Sequence, residues 1–264
     1  MQMKRQLRNM GLAIMIGGVA AASLSAQTLG RKSIDRTTVI DEAGSYVLVT
    51  DLSLSSNSTA DAAIMITASG VTLDLNGHQI TGPGGLQGVG VLIDGAESVT
   101  VRNGHIANMF IGVRVAGSSN VKLNDLHIRG LDIGVSAPPP ELGVIIAQSR
   151  NVEVEDLNIS KTGLGVFVRG GQSTGNRIAN NTISAGDNGV FAICYNPTGD
   201  DPEGPRGDVI SGNLLSGFIV GINLVPTAGY NVIRDNTIAY KSSAWESPNT
   251  TNVFDGNVEM ALLN

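Results

Sequence analysis

Apolar and polar residues alternate along the chain in short runs, and the runs recur. Val99-Thr-Val-Arg-Asn-Gly-His-Ile106 is followed by Val121-Lys-Leu-Asn-Asp-Leu-His-Ile128 and Val152-Glu-Val-Glu-Asp-Leu-Asn-Ile159. Further copies begin at Asn176, Asp208 and Asn231, a longer one runs from Val71 to Ile80, and a frayed one covers residues 252–257. Successive starts from Val71 lie 28, 22, 31, 24, 32 and 23 residues apart. The short spacings give the unit, and the long ones are that unit plus a loop.

A second motif lies between copies: Gly90-Val-Leu-Ile93, Gly112-Val-Arg-Val115, Gly143-Val-Ile-Ile146, Gly165-Val-Phe-Val168, Gly189-Val-Phe-Ala192 and Gly221-Ile-Asn-Leu224, with Ala63-Ile-Met-Ile66 opening the series. Each unit therefore predicts three short strands: a leading strand at the Gly-Val motif, a middle strand at Val-x-Val, and a trailing strand after an Asn/Gly turn. Period-2 alternation points Val99, Val101, Val113 and Val115 inward, and Thr100, Arg102 and Arg114 outward. One such turn cannot bury its apolar face alone, so the turns must stack. The pattern predicts an all-β parallel solenoid of about eight rungs with no helical segment, on the order of 40 Å long at ~4.8 Å per rung.

The ends and insertions follow from the register. Residues 46–53 read as an atypical first rung, and residues 238–264, with Tyr240 and Trp245, as a closing cap. Gly134-Val-Ser-Ala137 competes with Gly143 for one leading strand. Gly143 is preferred because residues 148–151 run straight into the next copy, which makes 131–142 an inserted loop; residues 195–207 are the other.

Composition adds compartment and charge. Lys4, Arg5 and Arg8 precede an apolar run, Gly11 to Ala22, and small residues Ser23, Ser25 and Ala26. That order predicts a signal peptide over 1–26, a single domain over 27–264, and a secreted or periplasmic product that is not integral to a membrane. Removing the segment leaves 14 Lys+Arg against 23 Asp+Glu. Such an acidic surface argues against nucleic acid and leaves neutral glycans and cations open. Cys194 is the only cysteine, so there is no intrachain disulfide. Sequons at Asn57, Asn158 and Asn249 matter only where the host glycosylates.

These units resemble the repeats of the pectin-lyase-like superfamily of right-handed parallel β-helices. Val71-Thr-Leu-Asp-Leu-Asn-Gly-His-Gln-Ile80 is especially similar to the opening rung of secreted bacterial members, and the likeness covers about residues 38–258. The superfamily holds lyases, hydrolases, epimerases and proteins without catalysis, so the likeness implies a fold and not an activity.

Candidate chemistry has to be placed on the rungs. Asn181, Asn213, Asn236 and Asn257 share one position and predict an asparagine ladder inside the turn. His105 and His127 are equivalent in adjacent rungs, with His78 a third if the longer copy is in register. A metal row and a solvated row are the alternatives. Lys122, Glu153 and Arg177 align as a surface ion-pair ladder.

Outward positions of the leading strands read Met65, Leu92, Arg114, Ile145, Phe167, Phe191 and Asn223. In similar enzymes this face holds the cleft. Here it lacks the two carboxylates that glycoside hydrolysis needs ~5–10 Å apart. Phe167 and Phe191, flanked by Arg114 and Asn223, offer a sugar-stacking surface unless the 131–142 and 195–207 loops fold over it. The acidic segment 199–208 is the remaining candidate. Asp200, Asp201, Glu203 and Asp208 could bind Ca²⁺ or act as acid and base, with Arg206 on a substrate carboxylate. A solvated turn is the plainer reading, and no other cofactor is implied. The expected function is binding of a polysaccharide or cell-surface glycan. A lyase, hydrolase or uronate epimerase acting through 199–208, and a structural spacer, are the alternatives. Oligomeric state is not encoded in any of these patterns.

Overall fold

The computed structural model describes residues 30–55, 61–84, 87–130, 141–197 and 203–262. The expected signal segment therefore lies outside the described residues, as do the sequon at Asn57, Pro138 to Pro140, Asp200 and Asp201. Lys32–Asn264 form one unit.

All strand pairs in this unit are parallel, and partners lie a full turn of chain apart. The central inward column of the middle strands is Tyr46, Leu73, Val101, Leu123, Val154, Ile178, Ile210, Ile233 and Phe254, which counts nine rungs where the repeat predicted about eight. The first rung, expected as atypical over residues 46–53, spans Thr38–Ile40, Gly44–Leu48 and Leu52–Ser53, and its sequence hardly resembles the repeat. The inward residues form one continuous apolar core along the rungs. Gly143 is the leading-strand residue, as expected: Leu142–Ala147 pairs with Ile111–Ala116.

The glycine of the leading strand has a packing cause. A Cβ on Gly112 would stand 2.5 Å from Ile128 Cγ2 and 2.6 Å from the Gly143 carbonyl oxygen. The backbone approaches the isoleucine of the trailing strand closely there, and no side chain fits.

This column also corrects one register. Phe191–Asn196 pairs Val166 with Ile193 and Phe167 with Cys194, so Ala192 and not Gly189 stands in the glycine column. Gly189-Val-Phe-Ala192 copies the motif three residues early. Phe191 consequently pairs with Leu164, and Cys194 stands in the column next to Phe167. Tyr195, expected to open a loop, is an inward core residue paired with Val168 and Leu224.

At the far end the coil does not give way to a separate cap. Val253–Asp255 and Val258–Ala261 continue the parallel stacking. The core is closed by size: Trp245 and Phe254, both in inward columns, stack with ring centroids 4.8 Å apart.

Candidate functional site

Two internal polar columns hold the turns in the C-terminal rungs. The expected ladder is present. Asn181 donates from its backbone N to Asn213 Oδ1 (3.0 Å), Asn213 likewise to Asn236 (3.0 Å), and Asn236 to Asn257 (3.0 Å). Each side-chain amide also donates back to a carbonyl: Asn181 to Val154, Asn213 to Ile178 and Asn236 to Ile210. Donor and acceptor are both used, which is why a buried amide is tolerated at this position.

A second ladder, on the other side of the middle strand, runs Asn176, Asp208, Asn231 and Asn252. Asn176 N donates to Asp208 Oδ1 (2.8 Å), Asp208 N to Asn231 Oδ1 (3.0 Å), and Asn231 N to Asn252 Oδ1 (3.0 Å). It escaped the sequence reading although its members open the C-terminal copies. Asp208 is thus an interior residue and not part of an exposed acidic site, because its backbone stands in the ladder register. Burial pushes its carboxyl up to about 7, against the pull of the hydrogen bonds from Asn176. Tyr195 faces it, and burial first, then the Asp208 charge, raises the phenol well above its ordinary value. The Tyr195 hydroxyl is buried without an aligned hydrogen-bond partner. Glu203 and Arg206, exposed, pair with each other.

The outer face of the leading strands stacks Met65, Leu92, Arg114, Ile145, Phe167, Cys194 and Asn223 in one column. Phe167 is half-buried and the Arg169 guanidinium lies 6.0 Å from its ring centroid. Arg114 is exposed, Asn223 is half-buried, and Ile145 and Cys194 are almost fully covered. Burial raises the Cys194 thiol to about 12, which removes it as a nucleophile. Among the described residues, the leading strands bring carboxylates to this face at Asp94 and Glu246. They are six rungs apart, about 29 Å at ~4.8 Å per rung, far beyond the ~5–10 Å of a glycosidase pair.

The trailing strands carry His105 and His127 in register, beside a shallow cavity of about 240 Å³ that Gln79, Arg129, Asn158 and Ser160 also line. The rings stack, with centroids 4.9 Å apart and planes at 24°, so they lie side by side and do not converge on an ion. Gln79, not His78, occupies their column, and His78 Nδ1 lies 3.1 Å from Asp51 Oδ1. The longer copy carries two extra residues in its turn, which brings Gln79 to the His105 position, so His78 does not extend the row. Among the described residues no three His, Cys, Asp or Glu side chains gather as a metal set.

On the middle strands, Lys122, Glu153 and Arg177 align as expected. Lys122 Nζ lies 3.2 Å from Glu153 and 3.4 Å from Glu155, and Arg177 Nε lies 2.8 Å from Glu155. Both carboxylates face cations.

The comparisons agree with this architecture. Residues 39–238 match the family described as right-handed beta helix region, and the chain belongs to that family. Among curated proteins there is no sequence match. Among solved structures, an alginate lyase from Paenibacillus sp. str. FPU-7 is 14% identical over 81% of this chain and 88% of its own, at TM-score 0.58. A tailspike double mutant of E. coli bacteriophage HK620 is 10% identical over 92% of this chain at TM-score 0.60, and the chain spans 58% of it. The endo-xylogalacturonan hydrolase of Aspergillus tubingensis is 12% identical over 91% of this chain and 89% of its own, at TM-score 0.53. At such identities the likeness is one of fold. No described helix is long and apolar enough to cross a membrane.

Proposed function

We propose that the chain is a secreted β-helix module that binds a polysaccharide or cell-surface glycan along its leading-strand face, without catalysing a reaction there. The observation that carries this reading is the outward column itself. Met65, Leu92 and Phe167 give it apolar surface with one aromatic ring, Arg114 and Asn223 add polar groups, Ile145 and Cys194 are covered, and its one carboxylate is Glu246 at the far end. Phe167 with Arg169 beside it has the amphipathic character suited to a sugar ring, an apolar plane next to hydrogen-bond donors. Phe191 pairs with Leu164, three residues along the strand from the Phe167 column, and so does not extend that column. The fold relatives named as an alginate lyase and a xylogalacturonan hydrolase support a glycan as the ligand class.

The test is retention on immobilised polysaccharides and a glycan array, with wild type beside Phe167→Ala and Arg169→Ala. The reading expects binding that drops roughly tenfold or more in each variant. Binding that survives both substitutions would remove the leading-strand face from the account.

A further inference from the structure

The turn between leading and middle strands contains a backbone conformation that repeats down the coil. Asn120 (φ 54°), Asn151 (φ 53°), Gly175 (φ 68°) and Gly207 (φ 69°) occupy it in successive rungs, and all are left-handed. Asn and Gly are the residues that adopt this conformation at least cost. The next occupant is Tyr230, at φ 58°. A bulky aromatic residue in this region is an outlier, and this one is 69% exposed, so core packing does not compensate the strain.

The same column borders a groove of about 480 Å³ on the middle-strand face. One wall is an amide chain, in which Asn151 Nδ2 donates to Asn120 Oδ1 (3.2 Å) and Asn120 Nδ2 to Glu97 (3.1 Å). The other wall is the Lys122, Glu153 and Arg177 set, whose charges face one another. Beyond the two amides the same column continues as bare backbone at Gly175 and Gly207, a glycine floor along that side of the groove. Around a Cβ placed on Gly207 there is no atom within 4 Å, whereas one on Gly175 would stand 2.7 Å from Asn151 Oδ1, so the floor is open at Gly207. Tyr230 stands one rung on from Gly207 in the same column, since Gly207 N bonds to the Gly229 carbonyl and Val232 N to that of Asp208.

We infer that this groove is a second binding site, separate from the leading-strand face, for a neutral oligosaccharide that lies on the glycine floor and stacks on Tyr230. Planar amides, a carboxylate and a guanidinium match vicinal hydroxyls in both donor and acceptor sense. Charges that pair within the wall disfavour a charged ligand, and the acidic surface disfavours a polyanion. The strain at Tyr230 is explained if the ring is wanted outside, at the groove's end.

The test is calorimetric titration of the full chain with cellohexaose, xylohexaose and maltohexaose, beside thermal melts. Tyr230→Gly removes the ring and relieves the backbone. Affinity for the bound hexaose should fall roughly tenfold while Tm rises by about 2–4 °C. Tyr230→Phe should keep the affinity, and Glu153→Gln should lower it. The inference is overturned by unchanged affinity in Tyr230→Gly, by a Tm that falls with the affinity and so marks a packing role, or by no binding of any hexaose. If Phe167→Ala abolishes binding and Tyr230→Gly does not, the leading-strand reading stands and this one fails.

Discussion

The N-terminal and C-terminal rungs share one backbone path but fill two interior positions differently. Up to residue 157 the turn after the middle strand holds Leu75, Gly104, Leu126 and Leu157, and the start of that strand holds Val99, Val121 and Val152. From Asn176 on, both positions are amides or Asp208. The two chemistries meet directly: Leu157 N donates to Asn181 Oδ1 (2.9 Å), and Val152 N to Asn176 Oδ1 (3.0 Å). Glu97–Ala107 and Ser119–Arg129 run through the turn as single strands, whereas the turn separates Val71–Asp74 from Gln79–Thr81, Arg150–Glu155 from Asn158–Thr162, and Arg177–Ala179 from Thr182–Ala185. The N-terminal turns rely on apolar packing, and the asparagine ladders hold the C-terminal ones by bonding backbone that strand pairing does not reach.

The largest effect should come from breaking a ladder in its middle. Asn213→Ala leaves Asn181 N and the Ile178 carbonyl buried without partners, at a cost of about 3–5 kcal/mol in urea unfolding. Leu126→Asn, the reverse exchange, should also destabilise, by about 2–3 kcal/mol, because no asparagine stands above or below it to complete the bonds.

Asp208 sharpens the comparison by pH. Its folded value near 7 lies above the ordinary 3.8, so the native state holds its proton longer than the unfolded chain. Stability from this group is full below pH ~4 and is lost as pH rises through 7. Asp208→Asn restores an ordinary ladder amide. It should raise stability at pH 8 by roughly 3–4 kcal/mol and flatten the slope between pH 4 and 7. A Tm–pH series on both proteins checks this, and parallel curves would count against it.

Gly112→Ala tests the bend that both halves share. With Ile128 Cγ2 and the Gly143 carbonyl so close, the methyl should cost about 1–3 kcal/mol by chemical denaturation. At the small end, Glu155→Gln removes ion pairs to Lys122 and Arg177 that are partly exposed. It should change stability by under ~1 kcal/mol, and less at high salt.

The coil was legible because two periodicities coincide, alternation within strands and recurrence of whole units. The Asn181 ladder was legible because its members repeat at one position. The ladder through Asp208 was hidden by the mixed residue type, since an aspartate beside an acidic loop reads as surface charge. The Phe191 register was misread because Gly189-Val-Phe-Ala192 reproduces the motif while Ala192 is small enough for the glycine position. Tyr230 carries no sequence signal at all. Its interest lies in a left-handed backbone that only the coordinates reveal.

The claim that most needs testing is that this coil binds glycan without cleaving it. The measurement is prolonged incubation, with calcium present, of the chain with each polysaccharide that retains it, assayed for reducing ends and for unsaturated uronate absorbance. The account predicts retention with no product above the protein-free control. Steady release of either product, abolished by Glu153→Gln or Glu155→Gln, would contradict it and make the middle-strand carboxylates catalytic.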